Sequence, residues 1–318
     1  MTNEERMAAS IDQIYTYRGC QYTKWRVAVV KSIQKILLNL DVFYADILPE
    51  IEPENDPQDV VYCQIRNGWF YEAVSQAEQA IEDLFSTIMN LGDLAYFAKN
   101  VVRYNPTDVK KYIWDFKADD PEYVCRQFGM PHFPLDKPWE HADVFEAYKQ
   151  AVLNTQQLVR ELKTFHQKYY QDYCQYKHGL SVALVPLQKP LMKNDVERRK
   201  MMMKNPLENG LETFHQGTLA QYQKRNRSLP AMGFLLKPAM HKHIHELYDE
   251  ENLLFFTTHV VRMEEVVSTA EHASLLLDTV WQNILWRCEE QDGDKYHRVA
   301  FPATDSGKIY EIGFPRDE

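Results

Sequence analysis

Glycine is scarce in this chain, 11 in 318 residues, and none falls in a G-x-G-x-x-G, G-x-x-x-x-G-K-[ST] or G-x-S-x-G string. That excludes the glycine-rich phosphate cradles of dinucleotide-binding and P-loop folds, and the nucleophile elbow of α/β-hydrolases. Cysteine is equally uninformative as a scaffold. Cys20, Cys63, Cys125, Cys174 and Cys288 are odd in number, widely spaced and without a C-x-x-C. They make neither a disulfide framework nor a zinc finger, and such usage fits a reducing cytoplasm. No apolar run approaches the ~18 residues of a membrane span, and the N-terminal MTNEERMAAS has no apolar signal core. The expectation is a soluble, cytoplasmic protein with no membrane partner.

What is present suffices for a large core: 45% of residues are hydrophobic and 13% aromatic, which excludes a disordered chain. The length allows one large domain or two ordinary ones. With no internal repeat and no clean linker, a single domain over 1–318 is expected. The net charge of −10 should repel polyanions. It hides an asymmetry, however. Residues 181–245 hold 11 basic and 4 acidic side chains and so carry +7, leaving −17 on the remainder. Arg198, Arg199, Lys200, Lys224, Arg225 and Arg227 concentrate that charge. Such a segment is either a polyanion contact or an internal dock for the acidic body.

Hydrophobic spacing carries most of the fold information. Four segments repeat an alternating three-and-four step that places apolar side chains on one helical face. The first runs from Val29 through Ile33, Ile36, Leu40 and Phe43 to Ile47. The second runs from Phe70 to Val102, the third from Phe145 to Tyr176 and the fourth from Leu253 to Cys288. Four long helices with seam-like stripes predict a bundle, since each stripe must meet another. Asn105-Pro106 and Asp120-Pro121 each pair a capping side chain with Pro at the first helical position, predicting two short helices. SVALVPLQ and GFLL near Gly233 predict strands, and Val196–Lys204 a Met-rich helix. KYHRVAF and KIYEIGF, with Asp305-Ser306-Gly307 between them, predict a terminal hairpin. The fold class is therefore mainly α: a four-long-helix bundle with a basic insertion at 181–245 and a C-terminal β-hairpin.

The third helix ends YYQDYCQYKHGLSV. An aromatic-rich helix closing on Lys177-His178-Gly179, then an extended segment, resembles the terminal helix of HEPN-superfamily bundles. The resemblance covers the four helices, about half the chain. It implies a metal-independent ribonuclease, or an RNA-binding and dimerising relative, of prokaryotic defence or toxin–antitoxin type. The catalytic form of the family motif is an Arg followed four to six residues later by His, with a polar residue usually just after the Arg. The corresponding positions before His178 are Tyr173, Asp172 and Gln171. Arg160 and His166 have the permitted spacing, with Glu161 after the Arg and the pair lying mid-helix.

On physical grounds His178 falls off the apolar seam, where an imidazole can take a proton from a ribose 2′-hydroxyl. The adjacent Lys177 can stabilise developing phosphate charge. The same two side chains also complement the negative end of a long helix, with Gly179 as its cap. His166 lies on the seam, as a core or interface histidine would. Tyr170 shares a flanking stripe with Lys163 and Lys177 and is placed to stack a base, whereas Tyr169, Tyr173 and Tyr176 sit on the seam.

Two other readings remain at this stage. His241, His243 and His245 would line one face of a strand as a metal set but would diverge on a helix. The following Glu-Leu-Tyr-Asp-Glu-Glu-Asn run favours a loop, so no metal or other cofactor is expected. The RNA-directed reading expects a homodimer through an exposed helix seam; the alternative is a non-enzymatic helical interaction protein whose insertion binds a protein partner or its own acidic body.

Overall fold

The computed structural model describes residues 3–51, 59–91, 94–130, 142–177, 232–238, 256–289, 296–303 and 308–315. Helix α1 is Asn3–Cys20, α2 Trp25–Leu38, α3 Leu40–Phe43 and α4 Leu48–Ile51; the long α5 covers Asp59–Asn90. A 3₁₀ turn at Leu94–Tyr96 leads into α6 (Phe97–Val102), followed by α7 (Pro106–Asp115) and α8 (Pro121–Gln127). Helix α9 is Ala142–Lys177 and α10 is Met263–Glu289. Strands β1 (Met232–Pro238) and β2 (Phe256–Arg262) pair antiparallel, with Leu235 opposite His259. Strands β3 (Tyr296–Ala303) and β4 (Lys308–Pro315) form the terminal hairpin, with Val299 opposite Ile312. The molecule is thus a helical bundle with a C-terminal hairpin, as the spacing predicts.

The stripes translate into burial with informative departures. On α9 every stripe residue from Phe145 to Tyr173 is buried, because 36 uninterrupted helical residues keep one register. On α2 the buried side chains are Val30, Ile33 and Leu37, one position round from Val29 and Ile36. The stripe then breaks at Asn39, so Phe43 and Ile47 lie exposed on short turns. Pro49 sits at the second residue of α4, where its missing N–H costs nothing. The second stripe holds to Leu91 and ends there: the helix stops at Asn90 and Val102 is exposed. The fourth stripe starts too early. Phe256 and Val260 belong to β2, and the helical face begins at Met263. A β-branched, aromatic run feeding directly into a helix imitates helical spacing over one turn. Helix α1 was not signalled at all, having only a weak apolar face.

Between Ile65 and Leu91 no residue of α5 or the turn after it is exposed, so this helix is covered on all sides. Two compact units divide the chain. The first comprises 1–28, 76–168 and 268–318, and the second 29–75 and 169–267. The boundary falls inside α2, α5, α9 and α10, which contribute to both. In the first unit Trp281 anchors α10, its indole donating to Gln21 at 2.8 Å and meeting Phe97 edge-on. In the second, Phe70, Tyr71 and Val74 share the core with Val30, Ile33, Tyr169 and Tyr173.

The local signals for α7 and α8 operate as predicted. Asn105 accepts from Thr107 N at 3.1 Å and Asp120 from Tyr123 N at 3.0 Å, each with Pro at the start of the helix. Asn105→Ala should cost about 1 kcal/mol, read as a lower urea midpoint at unchanged slope. Helix α8 ends at Gly129, whose φ of +68° lets Met130 N reach Cys125 O at 2.8 Å. A Cβ there would lie 2.6 Å from Arg287 Nη2, the end of a flexible side chain that can shift, so it is the positive φ that calls for glycine.

Candidate functional site

The last two turns of α9 belong to the second unit and carry four tyrosines and a lysine. Tyr169 is fully buried and donates to Glu265 at 3.4 Å; burial, then that carboxylate, raises its phenol well above the ordinary range. Tyr176 lies parallel to Tyr71 at 5.3 Å and donates to Glu72 at 3.3 Å. Tyr173 is buried, and Tyr170 is half-buried with its ring 6.2 Å away. The seam tyrosines thus pack inward while Tyr170 lies at the edge, as the stripe predicts.

Lys177 is exposed. Its ammonium lies 5.5 Å over the Tyr173 ring and 3.5 Å from that hydroxyl, one helical turn back. Among the described residues it makes no ion pair with a carboxylate. The surface at this helix end therefore combines a cation with aromatic edges. His178, next in the chain, lies outside the described residues, as do Arg198, Arg199, Lys200, Lys224, Arg225 and Arg227. The strand expected at 181–188, the Met-rich helix, and His241, His243 and His245 also fall there. No group of three or more His, Cys, Asp or Glu side chains among the described residues is arranged to hold a metal ion. None of the described helices is long and apolar enough to cross a membrane.

Arg160 and His166 lie in the first unit and do not meet. Six residues at about 100° each separate their side chains by roughly 120° around the axis. Arg160 points outward, its Nε 3.4 Å from Asp119 and 3.2 Å from Gln156 O. His166 is fully buried, with Nδ1 2.7 Å from Glu78 Oε2 on α5. Loss of water pulls the imidazole down to about 4, against the pull of Glu82 and with the push of Lys110. It is a core histidine, so Arg160 and His166 do not form a solvent-facing pair.

Arg160 instead lines a cavity of about 690 Å³ between α9 and the Phe116–Asp120 loop. Residues 160, 163, 164 and 167 form its helical wall, at successive three- and four-residue steps on one face. Lys163 reaches across to the C-terminal carbonyls of α7, donating to Trp114 O at 3.1 Å and to Phe116 O. A cation there offsets the negative helix end. Burial lowers the Lys163 ammonium below its ordinary range, opposed by Asp119 and Asp115. Gln156 adds a third tie, donating to Ala118 O at 3.0 Å. Sequence spacing marked Arg160 but missed Lys117, Lys163 and Asp119 as its neighbours. The off-seam recurrence of Arg160, Lys163 and Gln167 was the only local signal for this wall.

No protein-family model, curated protein or solved structure matches this chain.

Proposed function

We propose that this is a HEPN-like helical protein that binds RNA at the end of α9, and cleaves it there without a metal. The observation that supports the reading is Lys177, solvent-facing on the last turn beside Tyr170 and Tyr173 and one residue before His178. An exposed ammonium contacts a phosphate, and the half-buried Tyr170 edge offers stacking for an unpaired base. In cleavage, His178 takes the 2′-hydroxyl proton as the 2′-oxygen attacks the adjacent phosphorus. The 5′-oxygen departs with a proton taken from water, leaving a cyclic phosphate end. Lys177 stabilises the extra negative charge on the phosphoryl oxygens. The basic side chains of 181–245 supply long-range attraction inside an otherwise acidic chain.

The test is incubation of wild type, His178→Ala and Lys177→Ala with mixed single-stranded and transfer RNA in EDTA. Wild type should cleave, and His178→Ala should bind but not cleave. Lys177→Ala should weaken binding several-fold and reduce its salt dependence by about one phosphate contact. Absence of both binding and cleavage at micromolar protein refutes the reading.

One observation favours a non-enzymatic interaction module instead. Leu38, Val42, Phe43 and Ile47 are each exposed within one ten-residue stretch of α2, α3 and the turn after it, a density of exposed apolar side chains of the kind that protein partners cover. Recovery of a stable protein complex by a chain with no RNA affinity would select that alternative.

A further inference from the structure

We propose that the cavity between α9 and the Phe116–Asp120 loop binds a phosphate ester, held by the Arg160 guanidinium and the Lys163 ammonium. The site is separate from the end of α9, since neither Lys177 nor His178 lines it.

Its polar groups are mostly donors. Arg160 uses only Nε, toward Gln156 O and Asp119; both Nη amines are without a partner among the described residues. That planar pair matches two oxygens of one phosphate, which a compact ammonium cannot do alone. Lys163 is fixed at the wall by the Trp114 and Phe116 carbonyls, which occupy two of its three N–H groups and leave one for a ligand. Half-buried, it has already given up part of its hydration, so a nearby anion is favourable. Lys117 adds a third cation on the loop side, where its ammonium lies 6.0 Å over the Tyr123 ring.

The two carboxylates do not cancel this. Asp120 spends Oδ1 on the Tyr123 N–H as the cap of α8. Asp119 is 88% exposed, and its 3.4 Å approach to Arg160 is long and screened by water, so an entering phosphate displaces it readily. The site is an open cleft roomier than a single phosphate, so the substituent of a phosphate ester can enter with it. Gln167 supplies an amide on the same wall for the rest of such a molecule. The phosphate ester has two sources, a free mononucleotide or the backbone of an RNA strand.

Titration calorimetry on the full chain separates them, using adenosine monophosphate, inorganic phosphate and a short single-stranded RNA without terminal phosphates. Adenosine monophosphate should bind wild type. Arg160→Gln should weaken it about tenfold or more, since a charge-assisted pair of hydrogen bonds is lost. Asp119→Asn should tighten it several-fold, because the guanidinium is released and a like charge removed. Lys163→Met should weaken it several-fold as well, which assigns the binding to this wall rather than to the end of α9. Binding of the RNA alone, weakened by Arg160→Gln, assigns the pocket to a backbone phosphate and retains the proposal. No heat from any of the three at millimolar concentration, or affinities indifferent to both Arg160→Gln and Asp119→Asn, would overturn it.

Discussion

Asn283→Leu should lower the stability of the protein by about 3–5 kcal/mol, the largest loss expected from any near-isosteric change in the described core. The side chain is 1% exposed on α10 and makes three hydrogen bonds to backbone. Its Nδ2 donates to Phe128 O at 2.9 Å and to Ala300 O at 3.0 Å, and its Oδ1 accepts from Ala300 N at 2.6 Å. The amide therefore pairs with Ala300 as a neighbouring strand would, and joins β3, the end of α8 and α10 at one point. Leucine fills the same space but leaves three buried backbone groups without their partner. Each such orphan costs roughly 1–3 kcal/mol, against a total stability of about 5–15 kcal/mol for an ordinary domain. The measurement is urea denaturation with hydrogen exchange. The midpoint should fall with little change of slope, and Ala300 N–H should lose protection first. An unchanged midpoint would show that water enters and replaces the amide. Asn283→Asp should cost at least as much at neutral pH, because a buried carboxylate would face the Phe128 and Ala300 carbonyls.

The second large effect is a pH dependence centred on His166. Its folded pKa, held at about 4 by burial, lies below the ordinary 6.5 of the unfolded chain. The unfolded state therefore binds a proton that the folded state refuses. Stability from this group is fully present above pH 6.5, falls as pH drops from 6.5 toward 4, and levels off below. The total is about 3 kcal/mol, from roughly 1.4 kcal/mol per pH step. The ring Nδ1 lies 2.7 Å from Glu78 Oε2, and protonation would place a positive charge on a ring that water does not reach. Urea midpoints between pH 8 and pH 4.5 should show the fall in wild type and a shallower one in His166→Gln, which keeps a donor to Glu78 without a titrating ring. Equal slopes in the two proteins would assign the acid sensitivity to other groups.

How legible each part was depends on the range of the interaction behind it. Helix α9 was readable from Phe145 to Tyr176 because one amphipathic period over many turns needs no distant information. The caps Asn105 and Asp120 were readable because a capping side chain acts two or three residues along. The register of α2 was not, because Val29 and Val30, or Ile36 and Leu37, satisfy the same spacing and only the neighbouring helices choose between them. The start of α10 was misread for a related reason: Phe256 and Val260 are apolar at helical spacing, but their backbone groups pair with Pro238 and Phe234 across a ladder. In the candidate sites, the spacing of Arg160 and His166 matched a motif, yet the same spacing turns them to different sides of the helix.

The sequence by itself determined the class of this protein: helical, with a basic segment in an acidic chain, a terminal hairpin, and an aromatic helix closing on a cation. Those are properties of composition and of neighbours within about one turn. The tertiary structure decided which polar side chains are spent on the core. His166 is occupied by Glu78, 88 residues away, and Asn283 by Phe128, 155 residues away. It also decided that Arg160 meets Asp119 at a cavity rather than His166 at a catalytic centre. Such pairings depend on which helix faces which, and local periodicity marks a buried face without naming what lies opposite.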